Sequence, residues 1–134
     1  IVARENARLN RIAEGRGPGA IAFCTAGGVD HPRIRARAPY DLVFANILAG
    51  PLVALAPSLS SVVAPGGHLV LAGLLAPQTA QVLRSYRAQG FRVAHRQHGA
   101  EWPVLALRKA APPRRPIRHR HRASRAQGWE IDTL

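Results

Sequence analysis

The sequence is poor in sulfur-containing residues, and this shortage narrows what the protein can be. Among its 134 residues there is no methionine and a single cysteine, Cys24. One cysteine permits no internal disulfide, so we expect a reducing, cytoplasmic compartment. Because Cys24 ends a short apolar run, we interpret it as a buried small hydrophobic residue rather than as a nucleophile. The complete lack of methionine, an initiator included, favours a sequence that begins inside a longer gene.

Long apolar segments are missing as well. No apolar run approaches the ~20 residues that a membrane-spanning helix needs, and Ile1–Glu5 lacks the pattern of a signal peptide. Hydrophobic residues nevertheless make up 47% of the chain, which excludes a wholly disordered protein. With 134 residues, the chain is long enough for one domain with a hydrophobic core. We therefore expect a single folded domain that does not cross a membrane.

Acidic residues are scarce beside basic ones. The chain has seven acidic and 19 basic residues, 18 of them Arg, so its net charge is +12. This excess is compatible with genome composition and with selection for a polyanionic partner, and both interpretations stay open. From Lys109 onward the chain turns into Pro, Arg and His, with Ile117 as the one large apolar residue before Trp129. We predict a folded domain over residues 1–109 and a disordered, low-complexity basic tail over residues 110–134.

One stretch organises the rest of the chain. The mostly apolar run Leu42–Asn46 is followed by Gly50 and Pro51, and a short apolar run bounded by turn signals is typical of a buried strand in a parallel sheet. Pro51 is suited to be the first residue of the next helix. Ligands of open α/β sheets bind off the carboxyl ends of the strands. Asn46 occupies such an end and is the first candidate site residue.

The remaining segments alternate between helix and strand patterns. Helices are predicted over Val2–Leu9, over Leu52–Val63 and from Pro77 to Gly90, and strands over Ala20–Cys24, Leu42–Asn46, His68–Leu74, Phe91–Gln97 and Trp102–Leu107. Pro57 predicts a kink or a break in the second helix. Gly73 predicts a bend or a close backbone approach. Thr25–Pro39 is predicted to be a mobile loop whose three Arg residues lie in solvent or contact phosphates. These elements indicate an α/β fold.

The loop after the central strand carries a family resemblance. The run Asn-Ile-Leu-Ala-Gly-Pro-Leu at positions 46–52 resembles the signature loop of the PrmA family, the methyltransferases of large-subunit ribosomal protein eleven. Supporting stretches follow in the family's order: 55–57, 59–67 ending in Ala-Pro-Gly-Gly, 69–75, Gly90-Phe91 and Glu101-Trp102. Upstream, residues 2–10 are similar to the helix after the family's second strand. The resemblance covers residues 1–109.

Other family features have no counterpart here. Family members carry, ahead of this region, a substrate-recognition domain, a Gly-rich loop after the first strand and an acidic residue for the cofactor's ribose. The sequence has no Gly-x-Gly-x-Gly-like loop, and Asp30 and Asp41 stand in the wrong context for that acid. The resemblance therefore implies a partial doubly wound, Rossmann-like class I methyltransferase sheet that lacks its first two strands. We expect the Ala20–Cys24 and Leu42–Asn46 strands either to pair directly or to leave an unpaired edge.

By resemblance, the function is transfer of a methyl group from S-adenosylmethionine to amines of a ribosomal protein, namely a lysine side chain and the N-terminal amine. The same resemblance makes Asn46 the cofactor-contacting residue and puts the backbone of Ile47 and Leu48 beside the transfer site, with no side chain assigned as catalytic. The residues alone leave another interpretation of Asn46 open, an amide that satisfies local turn N–H groups. We expect the chain alone to be inactive.

A rival hypothesis is a non-enzymatic remnant, a small basic domain that binds RNA non-specifically through its Arg-rich tail. The six histidines do not predict a metal site, because His95 and His98 should point to opposite faces of a strand and His119 and His121 have no acidic or Cys partner. No paired carboxylates, Ser/His/Asp pattern or phosphate-binding loop indicates hydrolase or kinase chemistry.

Overall fold

The structure, a computed structural model, describes residues 2–15, 17–97, 99 and 101–111 of the chain. Its elements, in order, are α1 (Val2–Leu9), α2 (Pro32–Arg35), β1 (Tyr40–Asn46), α3 (Ala49–Ala54), α4 (Ala56–Val62), β2 (Val63–Ala72), a 3-10 turn (Ala76–Gln78), α5 (Thr79–Ala88), β3 (Phe91–Arg96) and β4 (Leu105–Lys109). The α/β class and the helix over Val2–Leu9 are as predicted. The predicted boundary between residues 109 and 110 stays a prediction, because the tail from residue 112 onward lies outside the described residues.

The four strands in the described part of the chain form one sheet in the order β1-β2-β4-β3. β1 and β2 run parallel, with Val43 opposite Leu69 and Ala45 opposite Leu71. β4 is antiparallel to both of its neighbours, which makes the sheet mixed. The predicted parallel pairing of the central strand is thus confirmed, and β1 is an edge of the sheet.

A bulge interrupts the pairing of β1 with β2. Tyr40 pairs with Val63 and Leu42 with His68, so β2 advances five residues while β1 advances two. The extra residues belong to the Ala64–Gly67 segment, which lies between the helix predicted to end at Val63 and the strand predicted to begin at His68. β2 instead begins at Val63, before this segment, because the chain pairs briefly with Tyr40 before it bulges out.

One face of the sheet is covered by α3, α4 and α5. The core between them consists of Ala49, Leu52, Ala56, Leu59, Val63, Leu69, Leu71, Leu74, Val82, Leu83, Tyr86, Phe91, Leu105 and Leu107. Tyr86 is fully buried, and its hydroxyl donates a 2.9 Å hydrogen bond to the Leu52 carbonyl oxygen. Burial raises the pKa of Tyr86 to about 12. Its ring meets Phe91 edge-on at 5.8 Å, so α5 is fixed to both the α3 helix and the sheet.

Pro57 breaks the predicted helix over Leu52–Val63 into α3 and α4, as the sequence indicated. The end of α4 is held by Lys109, whose Nζ donates to the carbonyl oxygens of Ser60 at 2.6 Å and Val63 at 2.9 Å. A cation at this end also complements the helix dipole. The last strand is thereby joined to the helical layer.

Four predictions about the elements are wrong. Ala20–Cys24 forms no strand but an isolated bridge from Ile21 to Glu14, because none of the described strands pairs with it. β4 begins at Leu105, and Trp102 precedes it as an exposed residue. The loop over residues 25–39 contains the short helix α2, with Pro32 at its start. The spacing of Ala80, Leu83 and Tyr86 predicts that all three face the core. Ala80 is exposed instead, and the buried face of α5 consists of Thr79, Val82, Leu83 and Tyr86.

Cys24 is exposed, which overturns its interpretation as a buried hydrophobic residue. The run that precedes it pairs with none of the described strands and lies outside the core. Separately, none of the helices in the described part of the chain has both the length and the apolar character needed to cross a bilayer.

Candidate functional site

The candidate site lies where the two parallel strands end. Asn46 is the last residue of β1 and pairs with Ala72, the last residue of β2. Both carboxyl ends therefore meet at one edge of the sheet, which is where open α/β sheets bind their ligands. The structure thus brings the predicted residue Asn46 to the predicted kind of position.

The turn after β1 presents its residues to solvent. Asn46 is exposed, and Leu48 is 71% exposed although it is apolar. Side chains of His31 and Gln78 accept hydrogen bonds from nearby turn N–H groups, whereas the Asn46 amide forms no bond of this kind with any residue that the structure describes. The amide group of Asn46 is therefore not used to satisfy its own turn, and it is accessible to a ligand.

Gly73 allows this turn to lie directly against the end of β2. It has a φ of +79°, and a β-carbon built on it would lie 2.8 Å from the Ile47 carbonyl oxygen and 2.9 Å from Asn46 Oδ1. Distances this short leave no room for any side chain. The close approach that Gly73 predicted is therefore real, and its neighbour is the candidate site itself.

The helix that follows starts earlier than predicted. α3 begins at Ala49, so Pro51 is its third residue and not its first. Leu48 provides the first carbonyl of the helix, which accepts from the N–H of Leu52 at 3.1 Å. Because Pro51 has no N–H to donate, its position in the first turn costs the helix no hydrogen bond. The turn between Asn46 and the helix is consequently only two residues long.

No carboxylate adjoins Asn46 along the chain or across the ladder. Three of the described acids form exposed ion pairs elsewhere, Glu5 with Arg8, Glu14 with Arg4 and Asp30 with Arg35. Asp41 is five residues before Asn46 on β1, which is roughly 16 Å along an extended strand. The fifth described acid, Glu101, is exposed, and its carbonyl oxygen accepts from the N–H of Ala76, four residues after Ala72. The polar groups that residues 46–48 themselves offer are the neutral amide of Asn46 and backbone groups. They can accept and donate hydrogen bonds but cannot act as an ionised base.

A separate cavity lies at the other end of β1. It has a volume of about 520 Å³, and its walls include Phe23, Cys24, Arg33 and Tyr40. Beside it the Cys24 thiol lies 3.3 Å from Nδ1 of His31, an arrangement that the sequence pattern did not reveal because the two residues are seven positions apart. Within the described part of the chain, no three metal-ligating side chains converge.

Comparison with known proteins gives one family. The sequence profile of ribosomal protein L11 methyltransferase (PrmA) matches residues 1–110. A ribosomal protein L11 methyltransferase of Chelativorans sp. (strain BNC1) is 44% identical over 108 residues, 81% of this chain and 36% of the relative. One from Caulobacter sp. (strain K31) is 40% identical over 81% of this chain and 35% of the relative.

A solved structure agrees with these sequence matches. The crystal structure of ribosomal protein L11 methylase from Lactobacillus delbrueckii subsp. bulgaricus superposes with a TM-score of 0.66 at 28% identity. The superposition covers 80% of this chain and 51% of that one. The chain spans about a third of the length of the curated relatives that it matches.

Proposed function

The chain belongs to the ribosomal protein L11 methyltransferase (PrmA) family, and we propose that it takes part in S-adenosylmethionine-dependent methylation of ribosomal protein amines, in a reducing cytoplasm. The observation that carries this proposal is the turn after β1. The exposed Asn46 amide, which bonds no described residue of its turn, stands at the carboxyl end of a parallel strand, and Gly73 allows this turn to lie directly against the end of β2. The relatives' names supply the ribosomal protein as the substrate class.

The residues of this turn fit the methyl-transfer end of S-adenosylmethionine and the amine that accepts the methyl group. S-adenosylmethionine supplies an activated methyl group when bound. Transfer to an amine needs a neutral nucleophile placed in line, with its lone pair free and its N–H groups oriented. The Asn46 amide oxygen and the Ile47 carbonyl oxygen are acceptors at the right end of the sheet for that purpose. Both oxygens accept hydrogen bonds from the N–H groups of the amine, so they leave its lone pair free and stabilise the positive charge that grows on the nitrogen.

The described residues fit the rest of the cofactor poorly. The sequence has no Gly-rich loop, and no carboxylate adjoins Asn46 on β1 to meet a ribose. Hydrogen bonds to a charged group contribute roughly 1.5–3 kcal/mol each. Losing about two of them weakens binding by roughly a hundredfold to ten-thousandfold. We therefore expect this chain by itself to bind S-adenosylmethionine weakly or not at all, and to transfer no methyl group without partner segments.

Equilibrium dialysis of the purified chain with labelled S-adenosylmethionine tests this expectation. We expect no saturable binding in the low micromolar range, and we expect the Asn46→Ala variant to behave like the original chain. Asn10→Ala, at an exposed residue outside the turn, is the control for non-specific effects. Saturable low-micromolar binding that Asn46→Ala abolishes and Asn10→Ala preserves would show that the turn binds the cofactor unaided, contrary to this expectation.

The RNA-binding hypothesis gains no support from the relatives, which are named as methyltransferases. Its basic tail lies, from residue 112 onward, outside the described residues. The partner that the family indicates is a ribosomal protein. Transfer to a lysine side chain and to an N-terminal amine is the specific form of the proposal, and mass spectrometry of the methylated substrate identifies the modified nitrogen.

A further inference from the structure

Two arginines lie directly opposite each other at one end of the sheet. Arg92 on β3 pairs with Arg108 on β4, and both residues are exposed. Their neighbours along the strands, Phe91 and Leu107, are buried, so Arg92 and Arg108 project from the face that the helices do not cover. Residues directly opposite in an antiparallel pair have Cα atoms roughly 4.5–5.5 Å apart. Both guanidinium groups can therefore reach one ligand.

This pair of arginines is unfavourable without a partner, because like charges directly opposite each other destabilise a sheet. Three of the five described acids pair with other arginines, and neither Asp41 nor Glu101 forms an ion pair within the described part of the chain. Protection of a sheet edge explains Arg92 on the outermost strand. It does not explain Arg108, because β4 lies between β2 and β3.

A cavity opens beside the two arginines. It has a volume of about 260 Å³, and its walls are Arg92, Arg108, Lys109, Ala110 and Ala111. Apart from the two alanines, every wall residue is a cation, so the potential inside is positive. The Nζ of Lys109 bonds carbonyl oxygens at the end of α4 rather than a carboxylate, so these bonds do not neutralise its charge. The cavity is therefore suited to an anion.

One hydrogen bond sets the orientation of Arg108. Its Nε donates to the carbonyl oxygen of Gly66, in the bulge of β2, at 3.2 Å. This bond uses the Nε–H group, and neither terminal amino group of the guanidinium bonds a residue that the structure describes. Two parallel N–H groups of a guanidinium match two oxygens of a phosphate. Arg108 is thus oriented before a ligand arrives.

The basic surface continues along the same face. His68 on β2 pairs with Arg108, so His68, Arg108 and Arg92 form one row across three strands, about 10 Å long at a strand spacing of roughly 4.8 Å. His95, in the next row of this face, is exposed as well. None of the described acids belongs to either row. A basic strip of this length fits successive phosphates of a polyanion better than a single small anion.

We propose that Arg92 and Arg108 bind a phosphate group of a nucleic-acid backbone, with His68 and His95 beside the neighbouring phosphates. We call the two arginines and the cavity beside them the phosphate site. Arg92 is the second residue of β3, whereas the candidate site lies where the parallel strands end. The proposal therefore goes beyond methyl transfer and does not depend on it.

The test is the binding of a short, fluorescently labelled oligouridylate to the full chain, measured by anisotropy at several salt concentrations. Arg92→Gln with Arg108→Gln should weaken binding about 10- to 100-fold at low salt. Each phosphate contact on a single strand contributes about 0.7 to the slope of log K against log salt, so the slope should fall by about 1.4.

A matched control removes the same charge elsewhere. Arg84→Gln with Arg87→Gln changes exposed residues of α5, on the other side of the sheet, and should leave the slope unchanged. Both variants keep the six arginines of residues 112–134, so the difference between them reports on the phosphate site. Circular dichroism checks that each variant is folded. Arg92→Gln alone, with a slope change of about 0.7, replaces the double variant if that one is not.

Inorganic pyrophosphate distinguishes free phosphate compounds from a nucleic acid. In NMR spectra of the full chain, pyrophosphate should shift the amide signals of Gly66, Arg92, Arg108 and Ala110, and it should compete with the oligouridylate. Three outcomes overturn the proposal. The first is a loss of oligouridylate binding that is equal in the arginine variant and the control. The second is pyrophosphate that shifts no amide signal of the phosphate site. The third is pyrophosphate that binds there while oligouridylate binding is indifferent to both arginines, which would make it a site for free phosphate compounds.

Discussion

Replacing Gly73 by alanine tests the geometry that holds the candidate site. Two effects make the alanine variant less stable than the original chain. The φ of +79° lies in the left-handed region, where a side chain costs roughly 1–2 kcal/mol. The new β-carbon would also stand 2.8 Å from the Ile47 carbonyl oxygen and 3.0 Å from the Ile47 nitrogen, which are backbone atoms that cannot rotate away.

Two other glycines separate these effects. Gly90 has a φ of +82° but nothing within 4 Å of an added β-carbon, so Gly90→Ala measures the conformational cost alone. Gly67 has no left-handed φ, but a β-carbon there would lie 2.9 Å from the Ala64 carbonyl oxygen and 3.0 Å from that of Asp41, so Gly67→Ala measures the steric cost. Overpacking costs typically 1–3 kcal/mol, and a Gly→Ala change recovers about 0.4–1 kcal/mol from the unfolded state.

We therefore expect a loss of unfolding free energy of about 1 kcal/mol for Gly90→Ala, about 1–2 kcal/mol for Gly67→Ala and about 2–4 kcal/mol for Gly73→Ala. At about 4 °C per kcal/mol, the last variant melts roughly 8–16 °C lower. Urea denaturation followed by circular dichroism measures all three. If Gly73→Ala is no less stable than Gly90→Ala, the turn at Ile47 moves aside at little cost, and Gly73 does not fix Asn46.

Local signals predicted the position of β1 and of the turn after it, but the prediction of a buried strand is wrong, because Leu42 and Phe44 are exposed. An apolar run, a lone amide and the Gly50-Pro51 pair are adjacent in sequence, so composition alone marks where the strand ends. The break at Pro57 has the same kind of cause, because proline cannot continue a helix. Gly73 was marked as a close approach by its place in an apolar strand, but only the structure shows that Ile47 is its neighbour.

Features that depend on a distant partner were not predictable. Ala20–Cys24 has the composition of a strand, yet a strand needs a ladder and none is adjacent. A short apolar run is found both in strands buried on two faces and in strands with one exposed face. The exposure of Phe44 could therefore not be inferred from periodicity. Cys24 is exposed because the run that it ends forms no strand. The start of β4 was placed too early because Trp102 and Pro103 extend the apolar run.

For Asn46, the sequence predicted the position at the end of a strand but not whether the side-chain amide bonds its own turn. The end of a parallel strand is a general ligand position, and the chain reaches it as expected. Whether the amide bonds its own turn depends on a backbone geometry of two residues, which composition does not specify. Asn46 is exposed and its amide bonds none of the described residues of its own turn, and its role as a cofactor-contacting residue stays a proposal.

The two remaining predictions concern the core. Lys109→Met keeps the stem of the side chain but removes the hydrogen bonds from Nζ to the carbonyl oxygens of Ser60 and Val63. We expect urea denaturation to show a free energy of unfolding that is lower by about 1.5–3 kcal/mol. A loss below about 0.5 kcal/mol would show that water replaces Nζ freely. Tyr86→Phe removes the bond to Leu52 and should cost about 1 kcal/mol at neutral pH. The pKa of Tyr86 is raised to about 12 by burial, above the ordinary value of 10.0 that it regains on unfolding. The folded protein therefore keeps the proton longer, and the stability that Tyr86 contributes is complete below pH 10 and lost as the pH rises towards 12, at up to about 1.4 kcal/mol per pH unit. The phenylalanine variant lacks this loss, so its deficit relative to the original chain should shrink above pH 10. A deficit that stays constant from pH 9 to pH 12 would show that the hydroxyl titrates as freely in the folded protein as in the unfolded one.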